Sequence, residues 1–250
     1  MLDRLLDVDA RTVIAHRGDR VRAPENTIEG LQRAVDIGVD AIEFDVRVTR
    51  DGVPVLMHDP TVDRTTNGRG LVGSFSCVEL RRLDAAARFG SGDASAQIPL
   101  LEEAMDRFRR LPLIIEVKEA TAIDATVAMI DRFDARGRVL LGSPVTPVTE
   151  ALQRAGLRIC ASMRDATRMI PVALVGATPA PQKYDVLSIS PWFRGLPIPV
   201  LRMAAAARKL RIATHVWTVN DPQRAVAYWR GGVSGIVTDD PLALLRARPK

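Results

Sequence analysis

Cysteine is nearly absent: Cys77 and Cys160 are the two in 250 residues, far apart and without CxxC spacing. Each reads as a small hydrophobe rather than a disulfide partner or thiolate metal ligand. No apolar run approaches the length of a membrane span. Residues 1–11 alternate Asp and Arg with Leu and lack the apolar stretch of a secretion signal. These absences lead to the expectation of a reduced, cytoplasmic setting with no stable membrane insertion. Aromatic residues make up 4%, too few for the stacking platforms a glycosidase would use, and lysine supplies only Lys118, Lys183, Lys209 and Lys250 among 35 basic residues. The arginines are scattered singly or in pairs such as Arg81-Arg82 and Arg109-Arg110, with no basic run interleaved with aromatics. Nucleic acid is therefore not an expected partner, although a net charge of +5 favours an anionic small molecule. Hydrophobic residues at 47% suffice for a sizeable core.

Short apolar runs alternate with amphipathic stretches along the whole chain. The runs fall at 12–15, 41–46 with 53–57, 113–117, 139–142, 158–161, 186–189, 212–219 and 235–238. Helical patterns lie between them, at 27–37, 101–109, 123–133, 148–155, 166–175, 200–209 and 222–229, and a last one at 241–248 starts on Pro241. Strand and helix in alternation imply an α/β fold with a parallel sheet. Eight units in 250 residues predict a (β/α)8 TIM barrel as one domain over residues 1–250. Residues 59–100 are too long for an ordinary βα loop. The turn-rich Asn67-Gly68-Arg69-Gly70 and the polar stretch 90–97 mark them as an insertion at the C-terminal rim, where barrel active sites lie. Oligomeric state leaves no signal.

The second strand carries Glu43 and Asp45 either side of Phe44. Residues i and i+2 of a strand share a face, so two carboxylates project together from an apolar segment. Unpaired, they repel and one is driven towards protonation, a conflict that a hard divalent cation resolves. The next strand repeats the device with Glu116 and Lys118. Three carboxylates can thus converge on a metal beside a fixed positive charge. Of three histidines, His16 and His58 sit at strand ends and suit general acid–base work near neutral pH. His215 lies within the seventh strand and reads as core or as support. Arg17 offers a planar fork for phosphate oxygens, and Gly18 lets the backbone approach closely. A metal, two imidazoles and two cations together describe phosphoryl-ester cleavage. A Schiff-base aldolase on Lys118 fits less well, because a lysine among three acids stays protonated.

Several segments resemble one family closely: Ala15-His16-Arg17-Gly18, Ala23-Pro24-Glu25-Asn26-Thr27, Ile42-Glu43-Phe44-Asp45-Val46, His58-Asp59-Pro60, Ile115-Glu116-Val117-Lys118, Trp217-Thr218-Val219-Asn220 and Thr238-Asp239-Asp240-Pro241. They are similar to the glycerophosphodiester phosphodiesterases. The resemblance runs through most of the chain and is weakest over 121–211. It implies a barrel with an insertion after strand two and one divalent cation, Mg2+ or Ca2+ with Mn2+ as a further candidate, on Glu43, Asp45 and Glu116. It implies His16 and His58 as the acid–base pair, Arg17 and Lys118 on the phosphate, and Trp217 lining the glycerol end. Glu25 and Asn26 organise the first βα loop, with Asn26 expected to cap the helix at Thr27. Trp192-Phe193 is open to two readings, a leaving-group wall or core. The implied reaction releases glycerol 3-phosphate and an alcohol, through attack by the glycerol hydroxyl or by water. Lysophospholipase D-type cleavage and a non-catalytic phosphate- or headgroup-binding barrel are the alternatives. The chain departs from the pattern at Ser143-Pro144, in the charged 19–22 and in 175–184, on the leaving-group side rather than at the metal site.

Overall fold

The computed structural model describes residues 1–90, 95–193 and 195–249. Its barrel strands are β1 (Thr12–His16), β2 (Ala41–Val48), β4 (Leu113–Val117), β5 (Val139–Gly142), β6 (Val186–Ile189), β9 (Ala213–Val216) and β10 (Gly235–Thr238). They lie parallel in the order β5-β4-β2-β1-β10-β9-β6. The short β3 (Pro54–Leu56) folds back antiparallel on the C-terminal end of β2. The eighth position is a correction to the expected strand at 158–161. Only two single bridges form there, Leu141 to Ile159 and Cys160 to Val186. Ser162 already caps the next helix, its hydroxyl accepting from the Asp165 N–H, so extended backbone ends almost at once. Those two bridges still join both edges of the sheet and close the barrel.

Period-two alternation sorts the side chains. Ile42, Phe44 and Val46 of β2 and Leu113, Ile115 and Val117 of β4 face outward into the main core. There they meet the ring of helices α2 (Ile28–Asp36), α4 (Leu101–Arg107), α5 (Ile123–Arg132), α6 (Thr146–Arg154), α7 (Met163–Leu174), α8 (Val200–Lys209), α9 (Pro222–Arg230) and α10 (Pro241–Ala247). The inward set begins with a layer of Ile14, Ala41, Ile114, Leu140, Val186 and Val237, floored by Leu2 and Leu5 at the short α1 (Asp3–Leu6). One residue pair higher, the inward positions of β1, β2 and β4 turn polar, at His16, Glu43 and Glu116, while that of β5 is Gly142. An apolar plug below and charge above is the arrangement a rim site requires.

Residues 59–100 follow β3, and with it enclose a separate apolar cluster of Val55, Met57, Val62, Val72, Leu80 and Ile98. The segment includes α3 (Cys77–Leu80), capped by Ser76 and Glu79. The polar stretch expected at 90–97 falls partly outside the described residues. The pair Trp192-Phe193 forms β7 (Trp192–Phe193), which pairs antiparallel with β8 (Leu196–Pro197) as a small hairpin after β6. No helix is long and apolar enough to cross a membrane, among the described residues.

Candidate active site

Strand register assembles the polar layer. His16 lies beside Glu43 across β1 and β2, and Asp45 lies opposite Glu116 across β2 and β4. One oxygen from each of Glu43, Asp45 and Glu116 lies within 4.8 Å of the others. Asp45 is fully buried between Arg17 Nε at 2.9 Å and Lys118 Nζ at 2.8 Å. Burial opposes its ionisation, but Lys118 and Arg17 outweigh that and hold its pKa below the usual carboxylate range. Glu43 has the opposite balance: burial, then the charges of Asp45 and Glu116, push it well above the ordinary glutamate value. Asp45 Oδ1 is buried without an aligned hydrogen bond. Three hard oxygen donors, one of them forced towards protonation by burial and by the other two, fit a divalent cation.

Both rim histidines are anchored through Nδ1. His16 Nδ1 lies 2.7 Å from Asp239 Oδ1, and His58 Nδ1 lies 2.6 Å from Asp59 Oδ1. A carboxylate there favours the Nδ1–H tautomer and leaves Nε2 for the cavity. Burial lowers the His58 pKa, against Asp45 and Asp59, which raise it. Behind the pair stands Glu25, whose carboxylate accepts from Arg17 at 3.0 Å, Arg20 at 3.0 Å and Arg64 at 2.7 and 2.8 Å. Burial opposes its charge, yet these arginines bring its pKa down to about 2. Arg20 continues to Asp239 at 2.6 Å, and Arg64 to Asp59 at 2.5 Å. The carboxylate that holds His16 and the one that holds His58 are thus tied to the same glutamate.

The first βα loop makes this geometry out of backbone that few residues tolerate. Arg17, Gly18 and Asn26 have positive φ of 59°, 97° and 54°. A Cβ on Gly18 would stand 2.5 Å from the Gly30 carbonyl carbon, so the loop closes on α2 only with glycine there. The expected cap at Asn26 is corrected. Thr27 is the cap, its hydroxyl accepting from the Gly30 N–H at 3.1 Å. Asn26, in a left-handed conformation, instead clamps Asp45, donating to Oδ2 at 2.9 Å and accepting from the backbone N–H at 3.2 Å.

Of the eight residues singled out in the sequence, His16, Arg17, Glu43, His58, Glu116, Lys118 and Trp217 line one cavity of about 650 Å3. Asp45 lies directly behind, in contact with two of them. Trp192 and Phe193 line the same cavity, so the pair is wall rather than core. His215 is elsewhere: buried below, its Nε2 bonds the Leu5 carbonyl at 2.9 Å. Cys77 and Cys160 are both free thiols.

Comparison with known proteins identifies the family. The glycerophosphoryl diester phosphodiesterase family profile matches residues 16–243. The chain belongs to that family. A glycerophosphodiester phosphodiesterase of Caldanaerobacter subterraneus subsp. tengcongensis is 30% identical over 251 residues, covering 93% of this chain and 96% of its own. The crystal structure of a glycerophosphodiester phosphodiesterase from Agrobacterium tumefaciens superposes with a TM-score of 0.77 at 28% identity, over 94% of this chain and 99% of that one. An Oleispira antarctica phosphodiesterase, solved with its product sn-glycerol-3-phosphate, superposes at 0.78 with 24% identity, over 94% and 96% of the two chains. Against this phosphodiesterase fold, the residues that sequence reasoning passed over are Arg20, Asp59, Arg64 and Asp239. Two of them carried a signal: Asp59 directly follows His58, and Asp239 stands at the end of β10, one strand from His16. Arg20 and Arg64 carried none, because their meaning comes from Glu25.

Proposed function

We propose that this phosphodiesterase hydrolyses glycerophosphodiesters to glycerol 3-phosphate and an alcohol. The observation that carries the reading is the pair of carboxylate-anchored histidines at the edge of a three-carboxylate cluster, in one cavity. Glu43, Asp45 and Glu116 would hold one divalent cation, Mg2+, Ca2+ or Mn2+. When bound, that ion supplies electrostatic stabilisation to the phosphoryl oxygens. Arg17 and Lys118, already adjacent to the cluster, bind the remaining phosphate charge. One of His16 and His58 takes the proton of the attacking hydroxyl through Nε2, and the other returns one to the departing alcohol oxygen. Asp239 and Asp59 keep each ring in the tautomer that this exchange needs. Trp217, at the exposed end of β9, bounds the glycerol side.

The same proposal takes residues 1–250 as one domain with 59–100 as an insertion at the rim, supported by the single barrel sheet. It assumes a cytoplasmic setting, supported by two free cysteines.

The test is to strip the protein with EDTA, offer glycerophosphocholine and glycerophosphoethanolamine, and restore Mg2+, Ca2+ or Mn2+ singly. Release of glycerol 3-phosphate that requires added metal is expected. Release that persists in EDTA removes the metal site from the reaction, and no release with any ion removes the glycerophosphodiester reading.

A further inference from the structure

The two rim histidines are not held alike. His16 is the last residue of β1, where it pairs with Glu43 of β2. The backbone bonding continues past it through Arg17, whose N–H donates to the Glu43 carbonyl at 2.8 Å. His58 comes from outside the ring of parallel strands. It follows β3, which runs back along the overhanging end of β2, and just before it the Met57 N–H donates to the Asp45 carbonyl at 3.1 Å. The His58 side chain is also the freer of the two, 34% exposed against 13% for His16. Asp59 orients the ring, but as the next residue in the same loop it does not fix where that loop stands above the carboxylate cluster.

Arg47 supplies that fix. Two residues beyond Asp45 on β2, it shares the inward face of Glu43 and Asp45 and lines the cavity. Its Nε donates to the His58 carbonyl at 3.0 Å, and its Nη1 donates to Glu119 Oε2 at 2.8 Å. Glu119 lies two residues past β4, where the Lys118 N–H has just met the Val46 carbonyl at 3.1 Å. Its Oε1 accepts from the Val48 N–H at 3.1 Å, which extends that side of the ladder by one bond. One guanidinium therefore spans from the end of β4, the strand that delivers Glu116 and Lys118, to the main chain of His58. A planar group held at two points sets angle as well as distance. Arg17 and Lys118, which also line the cavity, both touch Asp45, whereas Arg47 is paired with Glu119, outside the carboxylate cluster.

We infer that Arg47 is a positioning residue for the reaction: by joining the His58 carbonyl to Glu119, it sets where the His58 imidazole stands relative to Glu43, Asp45 and Glu116. The inference rests on the proposed role of His58 in proton transfer. A lysine at 47 would keep the charge but would have to serve both acceptors from a single nitrogen, without the fork that fixes their geometry.

Position is read first, without turnover. The chain has three histidines, so NMR of the Mg2+-supplied, 15N-histidine-labelled protein follows each imidazole, with His58 assigned by its loss in His58→Ala. In Arg47→Met, which removes both donors, the His58 resonances are expected to shift or broaden. Those of His215, at the barrel floor, should stay in place and report an intact fold. Unmoved His58 resonances overturn the inference. If Arg47→Met disturbs His215 as well, Glu119→Gln carries the same test, since it leaves Arg47 charged and removes only the carboxylate that holds Nη1. Kinetics with glycerophosphocholine then read the consequence. Arg47→Met should lower kcat about 10- to 100-fold, the usual effect of a group one step behind a reacting one. Arg47→Lys should leave kcat depressed, and full recovery by lysine would mean that charge alone matters and overturns the inference. Adding Arg47→Met to His58→Ala should cost little further, because the residue acts through that imidazole, and a full second penalty overturns it too. Wild-type turnover by His58→Ala would refute the proton-transfer role of His58 itself, while the resonances would still decide whether Arg47 places the ring.

Discussion

Glu25 does not line the cavity, yet its charge reaches both histidines. It neutralises Arg17, Arg20 and Arg64, and two of these hold the carboxylates that orient His16 and His58. Glu25→Gln keeps the shape and removes the charge, so three guanidinium groups are left to compete for Asp45, Asp59 and Asp239. Groups one step behind a reactive ring commonly change activity by about 10- to 100-fold. A fall of that size in kcat, with a smaller change in KM, is expected from steady-state kinetics. An unchanged kcat would mean that Asp59 and Asp239 position the rings without help. His16→Ala and His58→Ala remove the proton-transfer groups themselves, and each should cost about 100-fold or more in rate. Circular dichroism should report an intact fold, and near-wild-type turnover in either variant removes that histidine from the chemistry. At this scale the side chains legible in the sequence were those whose chemistry is explicit: paired acids at i and i+2, and histidines in a chain that has three. Glu25 was legible only as a loop organiser, because nothing local marks it as the partner of Arg64, 39 residues away.

The loop between β1 and α2 separates a fold role from a site role in adjacent residues. Thr27 and Asn26 are both cap-forming types, and sequence preference alone does not decide between them. Backbone conformation decides: Asn26 has φ 54°, whereas Thr27 is extended at φ −110° and ψ 152°, the geometry of an N-cap. Thr27 also donates to the Pro24 carbonyl at 2.7 Å. Thr27→Ala should therefore cost about 1–2 kcal/mol of stability, read as a lower urea midpoint with kcat little changed. Asn26→Ala should show the reverse bias, since it strips the clamp from Asp45 and leaves its buried Oδ2 held by the Arg17 guanidinium alone. Equal effects of the two variants on kcat would sink this division of labour. The same element scale explains which strands were readable. On β2 the alternation is strict, and Glu43 and Asp45 fall inward because Ile42, Phe44 and Val46 must face the helices. The stretch 158–161 has the apolar character of a strand, but the cap at Ser162 cuts it to two bridges, and that competition is invisible in an apolar run.

Barrel closure brings sequence-distant groups together at both ends of the molecule, and only the upper set could be anticipated from motifs. At the rim His16 meets Asp239 across 223 residues. At the floor His215 meets Leu5, and Gly235 lies so close that a Cβ there would stand 2.5 Å from the imidazole. Eight alternating units implied the barrel, whereas the α1 plug beneath it follows from a four-residue helix too short to carry a periodic signal. His215 ties that plug to β9, and Nδ1 has no partner in its buried surroundings. Burial lowers its pKa from the ordinary 6.5 to about 4, against the Leu5 hydrogen bond, which raises it. A depressed histidine pKa means that below pH 6.5 the unfolded chain takes up a proton the folded chain refuses. Stability is therefore full above 6.5 and falls as pH drops towards 4, by a total on the order of 3 kcal/mol. Carboxylates add their own slope in acid, so the informative quantity is a difference between proteins. His215→Gln retains a donor for Leu5 without a group that titrates in this range. Its urea midpoint should fall less than that of the wild type between pH 7 and pH 4.5. Parallel pH profiles in the two proteins would show that protonation of His215 does not set the acid limit of the barrel floor.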